Sequence, residues 1–424
     1  MTIRVLADKR ILLGITGGVA VYKAAFLASR LTQAGALVDV VMTEAATRLV
    51  APLTFQAVTQ RAVYTDVFEV TPGPEPGQVQ IPHIALAKAA DLLLIAPATG
   101  NTLAKLAHGL ADNLLTNLAL ASRAPLLLAP AMESDMWAHP ATQANVAILL
   151  ERGATLVGPA AGHLASGAAG VGRMSEPEEI LEMARVVLGR GGDLAGRRVV
   201  VSAGGTREAI DPVRFVSNRS SGKMGYALAL AARDRGAQVT LVTAPTSLGE
   251  PAGVETIHVE SAAEMRDAIL RTSQGADALV MAAAVADYRP VEMAAQKIKK
   301  TGDQLALQLA RTDDILAEVA RLRQSGRGPR VTVGFAAETE NLLANARQKL
   351  QRKGLDLIAA NDVSAADAGF SVDTNRVTLL SGDGSQEPLP LMSKDEVAHA
   401  IWDRVLRRMS VDFAETKVTP SDKE

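Results

Sequence analysis

Two stretches of the chain follow the same order of local signals, and this repetition limits the available folds more than any other feature. Near the N-terminus, RILLGITGGVAVYKAAFLASRLTQAGALVDVVMTEAA reads as strand, glycine turn, amphipathic helix, glycine stop and second strand. The order returns in RRVVVSAGGTREAIDPVRFVSNRSSGKMGYALALAARDRGAQVTLVTAP, with a longer insert between strand and helix. Each stretch is the opening of a doubly wound, largely parallel sheet, so the expected fold class is α/β with two Rossmann-like domains. Short Val/Ile/Leu runs such as ADLLLIAPAT, APLLLAPAM and ADALVMAAAV supply further strands of the kind a sheet buried on both faces requires. The Gly-rich LGRGGDLAGRR separates the halves. The expected division is a first domain over 1–188, a linker over 189–197, a second domain over 198–412 and a disordered polar tail over 413–424.

Composition narrows the function. With 44 basic and 46 acidic side chains the chain has no electrostatic footprint for nucleic acid. It has no cysteine, which removes disulfides, thiolate catalysis and Cys-ligated metal sites. Redox chemistry must therefore come from a cofactor. The start MTIRVLADKR is too charged for a signal peptide, and no apolar run approaches the roughly 20 residues that span a bilayer. The expected compartment is the cytoplasm, with no membrane partner.

In open α/β sheets ligands bind beyond the C-terminal strand ends. GITGGVAVYK places Thr16, Gly17 and Gly18 there, where backbone N–H groups and a helix dipole can receive a phosphate; a tight turn without ligand fits the same letters. In the second half, FVSNRSSGKMG gathers Asn218, Ser220, Ser221, Gly222 and Lys223 before a helix, a loop suited to an anion or to simple capping. Of six histidines, His83 of PHIALAK stands out at a loop-to-helix junction, where it is either functional or a hydrogen bonder at the helix start. His108, His139, His163, His258 and His399 read as structural or exposed.

Taken together, GITGGVAVYK, VMTEAAT, PHIALAKAADLLLIAPATGNTLAKLAHGLADNLL, APAMESDMW, GHLASGAAGVGRM and SNRSSGKMG resemble the bifunctional phosphopantothenoylcysteine decarboxylase and phosphopantothenate–cysteine ligase of coenzyme A biosynthesis. The resemblance runs from about Lys9 to Arg408. It implies an FMN-binding flavoprotein domain followed by a CTP-binding ligase domain, with 4′-phosphopantothenate, L-cysteine, CTP and phosphopantothenoylcysteine as small-molecule partners and Mg²⁺ accompanying the triphosphate. By the same resemblance FMN lies against Thr16, Gly17, Gly18, Thr43, Pro97, Ala98, Thr99 and Asn101, with His83 catalytic. FMN oxidises the substrate thiol to a thioaldehyde, CO₂ leaves, and the electrons return to give 4′-phosphopantetheine. The family assembles as flavoprotein trimers and ligase dimers, which implies a homo-oligomer, at full size a dodecamer.

Two departures fall on the substrate side of the flavin. Glu133 stands where the family has an Asn that contacts the substrate carboxylate, and Ser166 where it has a proton-donating Cys. An ionised Glu cannot donate a hydrogen bond, and a serine hydroxyl is a poorer acid than a thiol of pKa about 8.5. Compensation by a protonated Glu133 is one reading. A flavoprotein half that is slow, or that serves as an FMN-bearing scaffold for protein assembly, is the other.

For the ligase half the resemblance implies attack of phosphopantothenate on the α-phosphate of CTP and displacement of CMP by the cysteine amine. Asn218 then assists amide formation and Lys297, in KIKK, stabilises charge. CTP contacts are expected at Met281, Ala282, Ala283, Asp287, Lys297, Asp313, Asp314, Ile315, Leu316, Phe335, Lys349 and Lys353; the metal ligands are unknown. The family commonly has Pro where Asp313 stands.

Overall fold

The computed structural model describes residues 3–67, 71–72, 79–80, 82–300, 305–338, 341–362 and 372–416. It divides into two compact units, Met1–Gly189 and Arg190–Glu424.

In the first unit the strands Arg10–Ile15, Leu37–Met42, Val63–Tyr64, Leu92–Ala98, Leu126–Pro130 and Thr155–Leu156 form one sheet. All neighbours run parallel, and, numbered along the chain, their spatial order is 3-2-1-4-5-6. Side chains alternate between two cores: Ile11, Leu13, Leu92 and Leu94 pack on one face, Leu12, Leu93 and Ile95 on the other. That alternation is the period of two expected of a strand with no solvated face, and it explains the unbroken apolar runs. The helix Val21–Gln33 closes one side with a stripe of Val21, Ala24, Leu27, Ala28 and Leu31. Gly35, at φ 97°, reverses the chain into the next strand.

The second unit repeats the plan. Arg198–Ala203, Gln238–Thr243, Glu255–His258, Ala278–Met281, Val331–Glu338 and Leu357–Asp362 are parallel and again ordered 3-2-1-4-5-6. Val377–Ser381 and Gln386–Pro388 extend the sheet antiparallel beyond the last of them. The helices Lys223–Asp234 and Lys394–Thr416 pack together on one face, where the fully buried Trp402 donates its indole N–H to Leu228 O at 2.9 Å.

Three local features add to the reading from sequence. The insert between the first strand and helix of this unit is an antiparallel hairpin, Arg207–Ala209 with Phe215–Ser217. Within the stretch read as linker, Leu194 is fully buried in the second unit's core. The last helix continues to Thr416, into the stretch read as tail, and residues 417–424 lie outside the described ones.

The helix Lys223–Asp234 approaches its strand through Gly225. A Cβ there would stand 2.6 Å from Ala203 Cβ and 2.7 Å from Ser202 O. Gly225→Val should therefore force the helix off the sheet and destabilise the second unit by about 1–3 kcal/mol, read as a lower urea midpoint for that unit.

Candidate functional site

A sheet ordered 3-2-1-4-5-6 opens a crevice where strands 1 and 4 diverge. In the first unit that point lies between the turn after Ile15 and the loop after Ala98, and a cavity of about 950 Å³ is found there. Gly17, Gly18, Thr43, Thr99, Asn101 and Glu133 line it. Thr16 is buried behind the lining, where its Oγ1 donates to Pro97 O at 2.6 Å and accepts the Thr99 N–H at 3.2 Å, joining the two loops. Pro97 and Ala98 are likewise supports rather than lining. Thr99 caps the helix Gly100–His108, and Thr43 caps the turn at Glu44.

The cavity contains residues that sequence reasoning passed over. Lys23 reaches from the first helix to donate to Met174 O at 3.2 Å and Glu176 Oε1 at 2.9 Å. The Lys23 ammonium holds the Glu176 carboxyl below its ordinary range. Lys105 and Asp112 form an ion pair at 2.7 Å, which likewise lowers the Asp112 carboxyl. His163, read as structural from sequence, also lines the cavity. Lys105 and Asp112 flank the helix-ending Gly109 and were within reach of a local reading; the Lys23–Met174 contact spans 151 positions and was not.

Glu133 and Ser166 touch. The Ser166 hydroxyl donates to Glu133 Oε1 at 3.0 Å and accepts the Ala168 N–H at 3.2 Å. Glu133 precedes the short helix Ser134–Ala138, and Ser166 lies in the turn between the paired strands Ala160–His163 and Ala169–Arg173. The strand Ala169–Arg173 lies close against the Met132–Glu133 backbone because Gly172 lacks a Cβ, which would stand 2.2 Å from Met132 O. His83 is in the first turn of the helix Pro82–Ala89 and is not among the lining residues; its Nδ1 is buried without a hydrogen-bond partner among the described residues.

The cradle fits FMN. Gly17 lets the turn approach the loop after the second strand, where a Cβ would lie 2.5 Å from Ala45 Cβ, while one on Gly18 would make only ordinary contact with Pro97. Thr43, Asn101 and Lys105 offer polar contacts for a phosphorylated chain, and Met132, Met136 and Leu164 an apolar wall for a ring.

In the second unit the switch point lies between Gly204–Gly205 and the segment after Met281. Asn218 is fixed there, its Nδ2 donating to Val285 O at 3.0 Å and to Ala284 O at 3.4 Å. Met281 ends its strand, followed by Ala282 and Ala283, whose N–H donates to Ser202 Oγ at 3.1 Å. Asp287 is exposed, its carbonyl accepting the Thr312 N–H at 3.0 Å, which brings the 312–316 segment alongside. There Asp314 pairs with Lys353 and caps the helix that Ile315 and Leu316 begin. Burial pushes the Lys353 ammonium below the ordinary lysine range, opposed by the Asp287 carboxylate. Lys349 donates to Phe335 O at 2.7 Å, whereas Asp313 turns to Arg266. Lys297 is exposed on a segment, residues 291–300, without helix or strand. Among the described residues no group of three or more His, Asp or Glu is placed to hold a metal ion. No helix among them is long and apolar enough to cross a membrane.

The comparisons show to which family the chain belongs. Residues 3–188 match the Flavoprotein family, and residues 194–409 match the DNA/pantothenate metabolism flavoprotein C-terminal domain. The chain is 47% identical over 403 residues to the coenzyme A biosynthesis bifunctional protein CoaBC of Bacillus subtilis (strain 168), covering 94% of this chain and 97% of that one. It is also 47% identical over 406 residues to the CoaBC of Vibrio cholerae, covering 95% and 99%. Among solved structures, the C-terminal domain of a CoaBC matches at 40% identity, TM-score 0.43, over 51% of this chain and 97% of that one. The FMN binding protein AtHal3 matches at 36% identity, TM-score 0.38, over 42% and 96%. Both halves therefore belong to flavoprotein and pantothenate-metabolism domains joined in one chain. The chain is a member of the family of bifunctional coenzyme A biosynthesis proteins, with a flavoprotein decarboxylase half and a ligase half.

The Gly17 cradle leads to a direct expectation. Gly17→Val should cut the FMN carried by the purified protein at least tenfold, read as the ratio of 450 nm to 280 nm absorbance.

Proposed function

We propose that the chain makes 4′-phosphopantetheine from 4′-phosphopantothenate, L-cysteine and CTP, by ligation in the second unit and decarboxylation in the first. The observation that carries this reading is that each unit sets its own motifs at the switch point of its own 3-2-1-4-5-6 sheet.

In the ligase unit, Met281, Ala282, Ala283, Asp287, Asp314, Ile315, Leu316, Phe335, Lys349 and Lys353 form the CTP site, with Asp313 beside it. Mg²⁺ enters with the triphosphate, whose oxygens supply most of its ligands. Lys297 neutralises charge as the substrate carboxylate attacks the α-phosphate, and Asn218 orients the incoming amine. Loss of the Lys297 ammonium removes an interaction made mainly in the transition state. Lys297→Gln should lower CTP-dependent ligation at least 100-fold, with a small change in KM for CTP.

In the flavoprotein unit, Gly17, Gly18, Thr43, Thr99 and Asn101 hold FMN, supported by Thr16, Pro97 and Ala98. When bound, FMN takes two electrons from the substrate thiol and returns them after CO₂ has left. Glu133 acts on the substrate from the cavity wall, and His83, which does not line this cavity, keeps the catalytic role its family resemblance implies. Glu133 and Ser166 together replace the family's Asn and Cys. In its protonated form the Glu133 carboxyl gives its proton to Ser166 Oγ as the Ser166 hydroxyl gives its own to the substrate, leaving Glu133 ionised. The path requires the Ser166 hydroxyl, which donates to Glu133 Oε1 across 3.0 Å in this structure, to turn to the substrate while the Glu133 carboxyl donates to its oxygen.

The measurement is single-turnover CO₂ release from phosphopantothenoylcysteine while the flavin spectrum is followed. Release with the flavin returning to its oxidised form is expected, slowed at least tenfold in Glu133→Gln and quickened in Ser166→Cys. Full activity in Glu133→Gln would remove the two-residue proton path. No release alongside normal ligation would make the first unit a scaffold. The homo-oligomeric assembly and a cytoplasmic location belong to the same proposal.

A further inference from the structure

Lys297 stands on a segment without regular secondary structure, yet the proposed chemistry needs its ammonium at one place. The segment is moored at the residue next to it. The Ile298 N–H donates to Asp211 Oδ2 at 3.1 Å, across 87 positions, and Ile298 O accepts from Arg214 Nη2 at 2.9 Å. A second tie lies three residues before Lys297, where the Ala294 N–H donates to Ile210 O at 3.0 Å.

Asp211 is built for this contact. It is 1% exposed, and its Oδ1 accepts the N–H groups of Val213 and Arg214, each at 2.9 Å, which folds the hairpin's turn around the carboxylate. Its Oδ2 takes the Arg214 guanidinium, at 3.0 Å from Nε and 2.5 Å from Nη2, as well as Ile298. These donors, Arg214 foremost, hold the carboxyl well below the ordinary aspartate range, so it remains an acceptor at every working pH. A buried acceptor satisfied at both oxygens has little freedom to shift, and the backbone it grips shares that order.

We propose that Asp211 is a positioning residue for ligation: its carboxylate, with Arg214, latches Ile298 to the hairpin turn and so sets where the neighbouring Lys297 meets the nucleotide phosphates. This rests on the ligase reading above. Asp211 touches no substrate and acts through Lys297.

The test is a double-mutant cycle on the full-length protein. Single-turnover pyrophosphate release from CTP with 4′-phosphopantothenate, cysteine omitted, is measured for wild type, Asp211→Asn, Lys297→Gln and the double variant. Asp211→Asn should lower the rate at least tenfold while KM for CTP changes less than about threefold. In the Lys297→Gln background the same substitution should cost less than about twofold, because its route of action is already gone. Acylation of surface lysines followed by mass spectrometry gives a second readout. CTP should shield Lys297 and Lys349 in wild type, and in Asp211→Asn only the shielding of Lys297 should fade.

Additive losses in the cycle would overturn the proposal, as would loss of shielding at both lysines, since either makes Asp211 a general support of the fold. An unchanged rate in Asp211→Asn would overturn it as well. Failure of the ligase reading looks different: wild type would then release no pyrophosphate, or Lys297→Gln would be fully active.

Discussion

A sheet covered on both faces has no face left for a ligand. In both units the alternating side chains of each strand are taken up by two separate cores, one above and one below. Chemistry is displaced to the strand ends, and the reversal of strand order between strands 1 and 4 separates two neighbouring loops there. The cavity of the first unit and the crevice of the second follow from this one constraint, applied twice along the chain.

What the sequence conveys well is what that constraint writes locally. The buried strands show as apolar runs, the first helix as a stripe ending at Gly35, and the Gly17–Gly18 turn as small residues between strand and helix. The hairpin at 207–217 escapes such a reading, because its strands are three residues long and carry no alternating pattern. Leu194 is similar: one apolar residue among glycines and charges reads as linker, and only the finished core shows where it packs.

The sites are legible to the extent that they are made of loops with their own signals. Gly17, Gly18, Thr43, Thr99 and Asn101 reach the cavity as their positions imply, while Pro97 and Ala98 stay within the strand Leu92–Ala98 behind it and Thr16 turns its hydroxyl to Pro97 O. Lys23 and His163 could not be read in this way. Their significance depends on partners or surfaces contributed from far along the chain. The contact between Glu133 and Ser166 is of the same kind: two unusual residues, 33 positions apart, form one hydrogen-bonded unit, so they are better understood as a joint change than as two separate ones.

The hydrogen bonds of Asn218 bear on the direction of its chemistry. A side-chain amide has two N–H groups and one oxygen, and here the nitrogen faces the carbonyls of Ala284 and Val285. With its nitrogen donating to these two carbonyls, the oxygen is the part of the amide left to meet another group. Such an oxygen can receive an N–H from an approaching amine and aim the nitrogen lone pair, but it offers nothing to a negatively charged oxygen. In the ligation proposed above, an Asn218 held this way suits an incoming amine rather than an oxyanion, which leaves the latter task to cations.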